Sequence, residues 1–446
     1  MIATRPRTRI REEVTNHGAN IYFPMSSINI LITDYHCASN RGDAAILKGV
    51  IDGLRTEYPD ATFTVATEYP KAAEAINGVD AIEQRTVPFK PYHVRKNPLL
   101  GLVTANALAS RIFSDIPVSS QIASKLNLVP YLESDLIVAT GGQYLTDNYM
   151  PSKIGAFWEL LLCKLLGKPV VLYAQSIGPL KEQPYASIGR YVLDRIDLIT
   201  VRDERSKSVL ESLDVSETPI YVTADAAFSM NLDNSDGTPL QRRRIESIPS
   251  LESSGPLVSI SAREWSYFGE EGGQNEYELS VAAFADWLLT EQDATVVFIS
   301  TCTGFDGYHT DDRATANAII NRMGKATAEK PQILTGEYTP TELSEFYGSV
   351  DLHVGTRMHS NILALLQATP VIGIEYEFKM SELMYQFELE DYVVDIDHVT
   401  APMLIGTVER AFEDIDSIES RIKSNLDRIR ARSQRTANLV SECLDL

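Results

Sequence analysis

An arginine and a histidine two residues apart stand in the run Gly355-Thr356-Arg357-Met358-His359-Ser360, between the apolar stretch Leu352–Gly355 and a run of helical spacing, Ile362–Leu366. Where a strand leads into a helix, unpaired backbone N–H groups and the helix dipole together favour an anion. Arg357 at such a junction can grip a phosphate or carboxylate with two N–H groups. His359 can donate or accept a proton at the same bound group. The plainer alternative is an arginine that neutralises a nearby carboxylate and a histidine that satisfies helix-end carbonyls or sits in the core. Two such side chains at one anion-favouring junction tip the reading towards chemistry. Arg263, which follows the strand-like run Leu257–Ser261, is a second candidate clamp on the same sheet edge.

Ligands of open α/β sheets bind beyond the carboxyl ends of the strands, so the other strand-end loops come next. Asn40-Arg41-Gly42-Asp43 precedes the helical run Ala44–Leu54, with Asp43 placed to cap that helix and Gly42 to permit a tight turn. Thr140-Gly141-Gly142-Gln143 follows Asp135–Ala139, and its two glycines let backbone approach a ligand or a facing domain. Gln175-Ser176-Ile177-Gly178-Pro179 reads as a polar turn after the buried run Val170–Ala174. Arg202, in the charged cluster after Leu198–Val201, is either an anion ligand or a surface ion-pair residue. The chain has no HExxH, no cysteine cluster, no GxxxxGK[ST], no GxSxG and no convincing GxGxxG. Metal, nucleotide-hydrolysis and serine-hydrolase chemistry are therefore not expected.

The elements that position these loops alternate. Buried-strand runs at Ile28–Thr33, Thr62–Ala66, Asp135–Ala139, Val170–Ala174, Leu198–Val201 and Ile220–Thr223 are separated by segments of helix length, which predicts a mainly parallel sheet. The segment Asn231–Ser254, rich in Asn, Asp, Ser, Pro and Arg, breaks the pattern. A second alternation follows, with strands expected at Leu257–Ser261, Thr295–Ser300, Leu352–Gly355, Val371–Glu375 and Val393–Ile396. From about Ala401 the spacing is helical, as expected of terminal helices packed on the second domain. The division is a disordered lead-in at 1–26, an N-terminal domain at 27–235, a linker at 236–254 and a C-terminal domain at 255–446.

With 446 residues, 44% of them hydrophobic, the chain is long enough for two such domains. The net charge of −21 opposes binding to nucleic acid or an anionic membrane. Cys37, Cys163, Cys302 and Cys443 are scattered, as in a reducing compartment. The first 26 residues carry arginines but no apolar run, and no stretch is long enough to span a bilayer, so a cytoplasmic protein without a transmembrane segment is expected.

The order Asn40-Arg41-Gly42-Asp43, Gly141-Gly142, Gln175-Ser176-Ile177-Gly178-Pro179, Arg202-Asp203, Arg263, Asp351 to His359 and Pro370 to Lys379 resembles the polysaccharide pyruvyl transferase family over roughly residues 28–396. The resemblance rests on that order and on the R-x-H junction followed by the P-V-I-G-I and Y-x-x-K segments. It implies two Rossmann-like domains facing a cleft, as in GT-B glycosyltransferases, with phosphoenolpyruvate as donor and a pyruvylated sugar, often a ketal, as product. His359 and Arg357 would then be catalytic. Arg263, Arg202, Asn40, Asp43, Gly141, Gly142 and Lys379 would bind substrate, with Asn40 and Asp43 on the sugar hydroxyls. No metal or organic cofactor is expected. The partners would be phosphoenolpyruvate and a sugar acceptor, which when lipid-linked would bring the protein to the membrane periphery. Two alternatives use the same plan: a nucleotide-sugar glycosyltransferase, and a non-catalytic sugar-binding protein.

Overall fold

The computed structural model describes residues 27–84, 128–150, 154–233, 255–265, 268, 273–304, 308, 310–324 and 331–444. The expected lead-in (1–26) and linker (236–254) lie outside them.

Eight strands form the first sheet: β1 (Asn29–Tyr35), β2 (Thr62–Thr67), β3 (Asp80–Glu83), β4 (Leu136–Ala139), β5 (Gly142–Leu145), β6 (Val170–Ile177), β7 (Leu198–Val201) and β8 (Ile220–Val222). They run in the order β3-β2-β1-β4-β6-β7-β8, with β5 also pairing β6, and every pairing is parallel. The second sheet is also parallel, in the order β11-β10-β9-β12-β13-β14. It consists of β9 (Leu257–Ser261), β10 (Thr295–Ile299), β11 (Gln332–Leu334), β12 (Leu352–Gly355), β13 (Val371–Glu375) and β14 (Val393–Asp395). Strands such as β4, β7 and β12 are buried along their whole length, which is why they read as short apolar runs without alternation. Strand order reverses between β1 and β4 in one sheet and between β9 and β12 in the other. Those two crevices are where an open parallel sheet binds ligands.

Several boundaries differ from the sequence expectation, each for a local reason. β6 runs on to Ile177, so Gln175 and Ser176 belong to a buried strand and not to a turn; the Ser176 hydroxyl is satisfied there by donating to Asp203 at 2.8 Å. The first helix spans Arg41–Glu57 and is capped by Asn40, whose side chain accepts from the Gly42 N–H at 3.0 Å. Asp43 therefore sits in the first turn and is not the cap. The strands β3, β5 and β11 were not anticipated because they are three or four residues long and largely half-buried or exposed.

The last helix also departs from expectation. Ala401–Glu413 packs on the second domain, against the helix Gly273–Glu291. The last helix, Ile415–Cys443, begins there but ends on the first domain: Ile418, Ile422 and Ile429 enter one core, and Ala437, Leu439 and Val440 enter the other. Its apolar stripe continues for the whole length, so both cores bury it. Gln434 and Asn438 donate to the Gly53 carbonyl (3.1 Å) and to Glu57 (2.6 Å) at the end of the first helix. Among the described residues no helix is long and apolar enough to cross a membrane.

Candidate active site

The two crevices open into one cleft of about 420 Å³. All nine side chains or glycines singled out from the sequence line it: Asn40, Asp43, Gly141, Gly142 and Arg202 from the first domain, and Arg263, Arg357, His359 and Lys379 from the second. Each lies just beyond the carboxyl end of a strand or in the first turn of the helix that follows.

His359 crosses to the first domain. It stands in the first turn of the helix Met358–Leu365, and its Nε2 lies 3.5 Å from Asp225 Oδ2, a charge contact without hydrogen-bond geometry. On its other side is Gly42, where a Cβ would lie 2.6 Å from His359 Nδ1. Gly42 is thus required for this close approach and not for a tight turn. Gly42→Ala is expected to push the imidazole aside and lower turnover by roughly tenfold or more, because reacting groups tolerate little misplacement. Comparing kcat and thermal unfolding of the variant with wild type checks this.

Asp225 was not picked out from the sequence, although it follows a strand by a few residues and caps the turn Ala226–Ser229. Arg202 Nη1 donates to Asp225 Oδ2 at 2.5 Å, and Arg202 Nε donates to Ser176 Oγ at 2.6 Å. Burial alone would raise the Asp225 carboxyl, but Arg202 and His359 hold it well below the ordinary carboxylate range. Arg202 thus holds Asp225, the carboxylate that faces His359, with its Nη1, and Ser176 with its Nε, while still lining the cleft.

Arg357 is similarly engaged. Its Nη2 donates to Asp312 Oδ1 at 2.5 Å and its Nε lies 3.2 Å from both Asp312 oxygens, while Asp312 is 2% exposed. Burial opposes the charge on Arg357, but the Asp312 carboxylate outweighs it and raises the guanidinium well above its ordinary value. Only Nη1 of its fork has no protein partner among the described residues, so Arg357 is not the free two-pronged clamp read from the sequence.

A buried network fixes the junction. His353 joins Ser259 Oγ (2.8 Å) to Ser360 Oγ (2.9 Å), and Ser360 Oγ donates to the Arg357 carbonyl at 2.6 Å. Burial pushes the His353 imidazole from 6.5 down to about 3. Between those values the unfolded chain binds a proton that the folded chain does not, so stability falls as pH drops from about 6.5 towards about 3. In His353→Gln the urea midpoint is expected to change less between about pH 7 and about pH 4.5 than in wild type.

Arg263 and Lys379 complete the cationic side. Arg263 has no carboxylate partner among the described residues; its guanidinium lies 4.3 Å from the Tyr376 ring centre and 5.0 Å from that of Trp265. Lys379 pairs with Glu377 at 2.7 Å and donates across the cleft to Gln143 Oε1 at 3.1 Å. Gln143 follows Gly142, whose φ of 145° favours glycine. Asp43 brings an Oδ2 that is buried without a hydrogen-bond partner among the described residues. Arg41, beside it, turns away from the cleft. Its buried guanidinium donates to Ala38 O at 2.9 Å, to Glu337 at 2.5 Å and to the Tyr338 carbonyl, stitching the first loop to the second domain.

Two parallel α/β domains with their switch points turned to one cationic cleft define a GT-B-like protein. The solved structures that the chain is similar to bear this out at the level of fold. A glycosyltransferase from Rickettsia africae matches with a TM-score of 0.57 and 12% identity, covering 94% of this chain and all (100%) of that one. UDP-GlcNAc 2-epimerase from Neisseria meningitidis matches with a TM-score of 0.58 and 10% identity, covering 93% and 100%. The family model described as polysaccharide pyruvyl transferase matches residues 40–377. Amylovoran biosynthesis protein AmsJ of Erwinia amylovora is 25% identical over 412 residues, 89% of this chain and 94% of that protein. The chain belongs to the polysaccharide pyruvyl transferase family.

Proposed function

We propose that this protein transfers a pyruvyl group from phosphoenolpyruvate to a sugar of a polysaccharide, glycolipid or glycan precursor, forming a ketal. The observation that carries the reading is the collection of Arg263, Arg357, His359 and Lys379 at one sheet edge in a chain of net charge −21. A donor with both a phosphate and a carboxylate needs more than one cation. Arg263 and Lys379 would meet those groups, with Arg357 contributing its remaining N–H edge to the leaving phosphate. His359, backed by Asp225 and Arg202, would deliver a proton to the enol methylene. Asn40 and Asp43 would orient the acceptor from the facing domain, Asp43 with its unpaired oxygen. Water competes with the sugar for the activated carbon, and closure of the two domains on the substrates would exclude it. In this reading no step requires a metal or an organic cofactor, and the reaction takes place in the cytoplasm.

The test is incubation with phosphoenolpyruvate and a panel of nucleotide-linked and lipid-linked sugars, followed by phosphate assay and mass spectrometry. Phosphate release coupled to a pyruvylated sugar supports the proposal. Transfer only from nucleotide sugars, with release of nucleoside diphosphate, would replace it with glycosyl transfer.

A further inference from the structure

Ketal formation needs a group that takes a proton from the sugar as well as one that gives a proton to the donor, and His359 fills only the second role. Tyr376 directly follows β13 and lines the same cleft. Its ring is held against Trp265, with centres 4.6 Å apart, and the guanidinium of Arg263 (4.3 Å) and the ammonium of Lys379 (5.1 Å) both lie over it. The hydroxyl makes no hydrogen bond with any described residue. The structure therefore offers, beside the cationic clamps, a phenol oxygen available to a ligand.

We propose that Tyr376 is the proton acceptor for the attacking sugar hydroxyl. The inference rests on the pyruvyl-transfer reading and supplies its missing base. The charged and titratable groups facing Tyr376 are Lys379 and Glu377 from its own turn, Arg263 after β9, Arg357 after β12 and Tyr149 of the first domain. Burial alone would raise the phenol. Lys379, Arg263 and Arg357 outweigh burial and Glu377, and hold the phenol below its ordinary value of 10.0.

The steps balance as follows. The His359 imidazolium gives its proton to C3 of phosphoenolpyruvate, the first sugar oxygen bonds to C2, and that hydroxyl's proton passes to the Tyr376 phenolate. The C2–O bond to phosphorus then breaks, and phosphate leaves with the electron pair. The second sugar oxygen bonds to C2, and its proton goes to the departing phosphate. Proton return from the phenol to His359 resets the site. One hydroxyl proton ends on the new methyl group and the other on phosphate, with no net oxidation.

Tyr376→Phe keeps the ring against Trp265 and beside the two cations but removes the oxygen. It is expected to lower kcat by about 100-fold, with the KM for phosphoenolpyruvate close to that of wild type. Replacing Tyr376 with 3,5-difluorotyrosine, which lowers the phenol pKa with little change of shape, is expected to move one limb of the kcat–pH profile to lower pH. A ring that serves only as packing would leave that limb where it is. Wild-type turnover in a folded Phe variant, or an unmoved limb in the fluorinated protein, overturns the role of Tyr376 while leaving pyruvyl transfer intact. Failure of the wild-type protein to transfer pyruvyl to any acceptor overturns the parent reading, and this inference with it.

Discussion

His359→Ala is expected to lower pyruvyl transfer by about 100-fold or more, the usual contribution of a positioned acid–base group. The fold should survive, because the imidazole lies in the cleft between Gly42 and Asp225 and is not part of an apolar core. Asp225→Asn would keep the turn cap but remove the carboxylate that faces the imidazole at 3.5 Å, so a smaller loss confined to kcat is expected there. The measurement is steady-state kinetics alongside thermal unfolding. A folded His359→Ala protein that turns over at the wild-type rate would remove His359 from the mechanism.

Arg357→Ala is expected to cost both stability and activity. It strands the Asp312 carboxylate, which is 2% exposed, and breaking a buried pair by removing one partner typically costs about 3–5 kcal/mol. Urea unfolding reads that loss. The double variant Arg357→Met with Asp312→Leu removes both charges, so it is expected to regain much of the stability while remaining inactive. Arg357→Lys keeps the charge but not the fork, and transfer should suffer there too. Activity in the stable double variant would show that the guanidinium matters only to the fold.

Much of this architecture was legible in the chain because the central strands are buried on both faces. β7, β9, β12 and β13 coincide with their apolar runs, and the strand-end rule then brought Arg263, Arg357 and His359 to one edge. What escaped was pairing across large sequence separations. Nothing local marks Asp312 as the partner of Arg357, 45 residues away, or Asp225 as that of His359 in the other domain. Arg41 was given no role of its own because its anchor, Glu337, lies 296 residues further on. Gly42 was read for its freedom of backbone, whereas the structure uses its lack of a side chain. The continuous stripe of the last helix was visible, but the change of core partway along it was not, since periodicity reports which face is buried and not what buries it.

That helix, 29 residues long, spans roughly 40 Å at the usual rise per residue. Its two ends are embedded in different cores, so neither core can melt without releasing apolar surface that the other half of the same rod helps to hold in place. The two lobes are consequently linked in unfolding. Any hinge between them must bend around this shared strut, which limits closure to motions that leave both of its ends seated.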